Sequence, residues 1–150
     1  DAEVDYVLGW GGNLGKDWAL DVNLTRYTYP GTRDGLDIDY NELNATLTWI
    51  NRWFATVGYT DDVFASGEPG TYVQLGGKFP INDAWRVEAA VGHYDLESAL
   101  GDSYEHATVS AIYAWKKAEF RLSGHATHGA EDLFGEVGAS RVELAATVNF

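Results

Sequence analysis

Apolar and polar residues alternate with a period of two through almost the whole chain, a pattern that commits it to β-strands. The apolar series are Val4, Tyr6, Leu8 and Trp10; Trp18, Leu20, Val22 and Leu24; Leu43, Ala45, Leu47 and Trp49; and Trp53, Ala55, Val57 and Tyr59. They continue with Val73, Leu75, Gly77 and Phe79; Trp85, Val87, Ala89 and Val91; and Ala107, Val109, Ala111, Tyr113 and Trp115. Ala118, Phe120 and Leu122, then Val142, Leu144, Ala146, Val148 and Phe150, complete the set. Each of these nine segments has room for the roughly 9–11 residues of a tilted membrane-spanning strand. No helical period competes, and no linker divides residues 1–150, which read as one domain.

The connections are unequal. Short turns fall at residues 11–17, 51–52, 80–84 and 116–117; longer loops fall at 30–38, 61–70, 95–103 and 128–140. Strict alternation of short and long connections is the organisation of an outer-membrane barrel, with turns in the periplasm and loops outside. A soluble sandwich has no reason to sort its loops in this way. The predicted fold class is all-β, an antiparallel transmembrane β-barrel with nine strands in this sequence.

The six tryptophans follow the same polarity. Trp10, Trp18, Trp49, Trp53, Trp85 and Trp115 all lie beside a short turn and share the parity of the apolar face. Indole favours a boundary with one wet and one apolar side, so these residues are expected to form a girdle at one membrane interface. Tyr27, Tyr29, Tyr40, Tyr59, Tyr72, Tyr94 and Tyr104 lie toward the long loops, several with inward parity. Lys16, Arg52, Lys116 and Lys117 flank the short turns. Asp34, Asp37, Asp39, Asp61, Asp62, Glu68, Asp95, Glu97, Asp102, Glu131, Asp132 and Glu136 crowd the loops, opposed there by little more than Arg33.

Composition excludes several alternatives. A net charge of −13 argues against a nucleic-acid partner, because phosphate backbones are bound by Lys and Arg. Without cysteine there is neither a disulfide nor a thiolate metal site. No run approaches the roughly 20 apolar residues of a membrane helix, a test to which barrels are invisible.

Nine antiparallel strands cannot close without a parallel seam. Counting back from Phe150 on the turn side puts Asp1 on the loop side. The expectation is therefore a barrel completed by an N-terminal segment or by another chain. Residue 1 is Asp, with no signal sequence ahead of it, so the sequence is expected to begin at a processed or truncated end.

Arg26, Tyr27, Thr28, Tyr29, Pro30 and Gly31 follow an alternating strand, and Tyr59, Thr60, Asp61, Asp62, Val63 and Phe64 close the strand after next. These words, within about residues 18–64, resemble the TorF family of porin-like outer-membrane proteins of proteobacteria. A weaker likeness extends over much of the chain. The resemblance implies further upstream strands, about twelve in total. The closing strand from Val142 to Phe150, with its terminal aromatic, resembles the signal read by the outer-membrane assembly machinery.

The opposite parity lists the expected lumen: Glu3, Asp5, Asp21, Asn23, Glu42, Asn44, Thr46, Gln74, Lys78, Arg86, Glu88, His106, Glu119, Arg121, Ser123, His125, Arg141 and Glu143. A basic residue facing hydrocarbon at mid-depth costs roughly 2–4 kcal/mol, so charge belongs inside. Arg86 and Glu88 begin one strand, and Glu119 and Arg121 begin the strand two away. That separation is only about 10 Å, and small Ser110 and Ala114 stand between. The four are expected to meet, either as an ion-pair constriction that filters solutes or as a network that props and blocks the barrel.

Weaker signals do not rise to sites. Ser123 and His125 share a face as a nucleophile and base would, but no acid partner is evident and the chain does not read as an enzyme. His93, His106, His125 and His128 match no standard metal spacing, and Asp34, Asp37 and Asp39 are too few for a calcium loop. Asn23 and Asn44 each open a glycosylation-like tripeptide, a coincidence in mid-strand. No cofactor is implied.

The function expected is passive diffusion of small solutes or ions through a charged lumen in the bacterial outer membrane, with lipid and lipopolysaccharide around it. The rival is a closed structural or adhesive barrel acting through acidic loops. A soluble ligand-binding barrel is disfavoured, because its apolar face would point inward.

Overall fold

A computed structural model describes residues 3–31 and 38–148. The strands are β1 (Val4–Asn13), β2 (Trp18–Thr28), β3 (Tyr40–Trp49), β4 (Trp53–Thr60), β5 (Gly70–Pro80), β6 (Trp85–Leu96), β7 (Asp102–Trp115), β8 (Ala118–His128) and β9 (Arg141–Val148). They form one antiparallel sheet in sequence order, β1 through β9. The sheet is open, and β1 and β9 do not pair with each other among the described residues. The terminal Phe150, and Arg33, Asp34 and Asp37 of the β2–β3 loop, lie outside the described residues.

Every short connection is at one end of the sheet and every long one at the other. Several expected boundaries shift. Gly11 and Gly12 belong to β1 rather than to a turn, and toward the long loops most strands run several residues beyond the apolar alternation. The longer connections also hold single helical turns: a 3-10 turn at Val63–Ala65, α1 (Glu97–Leu100) and α2 (Ala130–Phe134) followed by a 3-10 turn at Gly135–Gly138. Elements of three to five residues are too short to leave a 3.6-residue period in the sequence.

The two faces of the sheet are inverted relative to a water-soluble domain. Leu8, Leu24, Leu43, Val57, Leu75, Val91, Val109, Leu122, Val142 and Leu144 are all exposed on one face, Leu8 and Leu144 to 78%. The buried strand residues other than glycine lie on the other face: Thr25, Tyr40, Glu42, Thr60, Leu96, Ser110, Ile112 and Ser123. That face is concave. Tyr94 on β6 reaches Glu42 on β3, although three strand spacings on a flat sheet would separate them by about 14 Å. Where side chains are bulky, neighbouring positions are emptied: a Cβ at Gly76 would strike Phe54, and one at Gly92 would strike His106.

Candidate functional site: a polar inner face capped by aromatic residues

The inner face is built in three tiers. At the short-turn end lies an ion-pair cluster. Arg86 donates through Nη1 and Nη2 to the two carboxylate oxygens of Glu119 at 2.8 and 2.9 Å, and through Nε to Glu88 at 2.9 Å. Arg121 Nη2 lies 2.9 Å from the second oxygen of Glu88 and 4.0 Å from Glu119. A two-pronged guanidinium–carboxylate contact fixes orientation as well as charge. The four side chains therefore do meet across β7, over the expected Ser110 and Ala114 and, between the two arginines, over Ile112, which the sequence reading did not include. Arg86 and Arg121 are register partners of Ile112, which is fully buried, and Ser110 lies beneath Glu88; Ala114 is level with Glu119. The aliphatic stems of arginine can cover such an apolar residue while their charged heads pair above it.

In the middle tier, uncharged side chains are hydrogen-bonded across strands. Thr46 and Thr56 hydroxyls are 2.8 Å apart, as are those of Ser110 and Ser123, and Thr108 Oγ1 lies 3.1 Å from His125 Nδ1. His106 lies flat against Tyr72, its Nε2 2.8 Å from the phenol oxygen and its ring parallel to within 5°. The room for that ring comes from Gly92 opposite.

At the long-loop end the inner face becomes aromatic. Ring contacts run in a continuous series from Tyr27 to Tyr40, Phe64, Phe134, Tyr104, Tyr94, Tyr72 and His106, with centroids 4.8 to 6.2 Å apart. Phe64 comes from the β4–β5 loop and Phe134 from α2, so two loops four strands apart close on one another over the concave face. Val63 and Leu96 are fully buried in the same cluster, with Ala99 and Leu133 packed against it. Glu42, only 9% exposed, is held beneath the rings by Tyr94 at 3.1 Å and Asn44 at 2.9 Å. At the same end of the face, burial and the acceptor Glu3 push the Tyr29 phenol well above its ordinary range, so Tyr29 stays a neutral donor.

The tyrosines at the loop end therefore pack an inner cap, and among them Tyr59, 49% exposed, belongs to the outer face. Their inward parity was the signal in the sequence; the loop residues that meet them, Phe64 and Phe134, gave none.

The remaining expected lumen residues are dispersed. Lys78 is the register partner of Glu88 but sets its ammonium 5.9 Å from the Phe54 ring centre. With Arg52 and Arg86 it lines a depression of about 450 Å³ at the turn end. Asp21 accepts weakly from Asn23 at 3.5 Å. Glu143 lies 3.8 Å from His125, and Arg141 stands opposite His125 in register.

Trp10, Trp18, Trp49, Trp53, Trp85 and Trp115 are 43–59% exposed on the apolar face. Trp18 stacks on Trp49 at 6.1 Å, Trp53 meets Phe79 edge-on at 5.4 Å, and Trp85 packs on Tyr113 at 4.8 Å. A Cβ at Gly12 would meet the Trp10 ring, and the indole thus lies toward the turn end. Lys116 sits 5.0 Å from the centre of the Trp115 ring. Among the described residues no group of three or more His, Cys, Asp or Glu side chains is arranged to hold a metal ion.

No curated protein and no solved structure matches the chain. A family model described as a bacterial protein of unknown function (Gcw_chp) matches residues 1–145. With nearly the whole chain covered, the protein belongs to the Gcw_chp family.

Proposed function

We propose that the protein is a bacterial outer-membrane β-barrel of the porin-like kind suggested by its resemblance to the TorF family, and that small solutes or ions diffuse through its charged interior. The observation that carries this reading is the inverted sheet, with Leu, Val and Trp exposed on one face and charged and hydroxyl groups packed on the other. In water such a face is a liability far beyond the few hundred Å² a soluble protein tolerates. In lipid it is the required surface, and exposed tryptophans at one end suit a membrane interface.

The open edges of β1 and β9 belong to the same reading. Unpaired backbone groups in hydrocarbon cost several kcal/mol each, so further strands, from this polypeptide or a second chain, would close the sheet between them. Within the turn-end cluster Arg86 and Arg121 balance Glu88 and Glu119, leaving Asp21, Glu42 and Glu143 against Lys78 and Arg141. Together with Glu3 and Asp5, this excess favours cations. The test is conductance of the purified protein in planar bilayers with a reversal potential across a potassium chloride gradient. Cation-selective current supports the reading, and anion selectivity contradicts it.

The aromatic cap favours a second reading, a barrel closed at its outer end that acts structurally or through its acidic loops. Absence of current from correctly inserted protein supports that alternative.

A further inference from the structure

The short-turn end of the sheet carries a surface unlike the rest of the chain. In a sequence with 23 acidic and 10 basic residues, its turns hold Lys16, Arg52, Lys116 and Lys117 against only Asp17 and Asp83. All four cations are exposed, and none makes an ion pair among the described residues. Three of the turns also present aliphatic side chains, with Leu14, Ile50 and Ile81 45–66% exposed.

These apolar tips are fixed by the backbone. The Leu14 N–H donates to the Trp18 carbonyl at 2.8 Å, the Ile81 N–H to the Trp85 carbonyl at 2.9 Å, and the Ile50 N–H to the Asp17 carbonyl at 2.6 Å. The two tightest turns keep large side chains at a local cost. Ile50 and Lys116 have φ of 46° and 55°, where glycine or asparagine is less strained. Local folding does not call for isoleucine or lysine there, so contact outside the chain is what accounts for them. Lys116 shows the direction of that contact, since its ammonium lies 5.0 Å from the centre of the exposed Trp115 ring. A cation held beside an indole is placed at the edge of an apolar layer, where a phosphate can meet it.

We propose that the short-turn rim is a docking surface for anionic phospholipid. Acyl chains lie against Leu14, Ile50, Ile81 and the tryptophans, and headgroup phosphates meet Lys16, Arg52, Lys116 and Lys117. The partner is apolar and anionic at once, which rules out a small soluble anion. The cations are spread over three turns, which suits several small headgroups better than one polyanionic chain. The acidic long loops repel the same lipid, so the preference is one-sided. The proposal rests on the barrel being inserted in lipid, and it holds whether or not the interior conducts.

The test uses the folded full chain in phosphatidylcholine nanodiscs with a minor share of phosphatidylglycerol, one lipid or the other being brominated along its acyl chains. Tryptophan quenching then reads each lipid beside the girdle. Per mole, brominated phosphatidylglycerol should quench about threefold more than brominated phosphatidylcholine, an excess that shrinks in high salt. Lys16→Gln, Arg52→Gln, Lys116→Gln and Lys117→Gln together should bring the ratio close to one. Lys16→Arg, Lys116→Arg and Lys117→Arg together should keep it. Heat-dependent gel mobility verifies folding, and the salt dependence of the native ratio carries the test if the glutamine variant does not fold. Quenching by neither lipid overturns the membrane reading and this proposal together. Strong quenching by both with a native ratio near one, or an excess that survives high salt or the glutamine substitutions, overturns this proposal alone. So does poly-glutamate that binds the native chain but not the glutamine variant in purely phosphatidylcholine nanodiscs, which marks an acidic protein as the partner.

Discussion

Arg86 organises more of the inner face than any other single side chain, joining β6 to β8 over the fully buried Ile112. Arg86→Gln leaves Glu119 with only the 4.0 Å contact to Arg121. Charged hydrogen bonds contribute about 1.5–3 kcal/mol, and partial exposure of this cluster reduces that, so a loss of about 1–2 kcal/mol is expected in urea unfolding from micelles. Arg86→Lys should recover less than half of it, since an ammonium cannot engage both carboxylate oxygens in a planar fork. A second residue-scale test lies at Gly92. Adding a methyl group there displaces the His106 ring, and overpacking of this kind costs about 1–3 kcal/mol. Trimming the ring in a Gly92→Ala/His106→Ala double variant should restore part of the loss in the same unfolding measurement. The meeting of Arg86, Glu88, Glu119 and Arg121 was legible in the sequence because strand parity and strand spacing fix it. That Ile112 rather than Ala114 lies between the arginines was not, because register is set by hydrogen bonding between strands and leaves no periodic mark.

At the scale of elements, the nine strands follow from alternation alone, and the turn-side ends of β2, β3, β4, β6 and β7 fall on tryptophan. The loop-side ends are blurred for a physical reason. There the inner face turns from polar to aromatic, with Tyr27, Tyr40, Tyr72, Tyr94 and Tyr104, so the contrast between odd and even positions disappears while the backbone continues as strand. The loop half of the cap was invisible because it comes from single helical turns whose partners are remote in sequence. Its keystone is the Phe64–Phe134 contact at 6.2 Å, which joins the β4–β5 and β8–β9 loops. Phe134→Ala removes the ring that also meets Tyr104. Burial of a phenylalanine is worth about 1.5–3 kcal/mol, enough to populate an open cap measurably. The expected outcome is faster proteolysis within residues 129–140 and, if the interior conducts, a several-fold larger fraction of open time in bilayer recordings. Unchanged proteolysis and gating would mean that the loops are held by something other than this aromatic series.

For the whole molecule, the inverted distribution of side chains is the fact that any account must explain. A sheet with its leucines and tryptophans outside and its charges within is stable where the surroundings are apolar. The same inversion, together with the unpaired edges of β1 and β9, is what supports the proposed membrane-inserted barrel. The most direct measurement is quenching of tryptophan fluorescence in liposomes by phospholipids brominated along their acyl chains, with aqueous acrylamide as the counterpart. All six tryptophans lie exposed on the apolar face, so strong quenching by brominated lipid near the interface and weak quenching by acrylamide are predicted. Tryptophan freely quenched by acrylamide and untouched by brominated lipid, in protein that is folded and associated with the liposomes, would contradict the claim that this face meets the membrane.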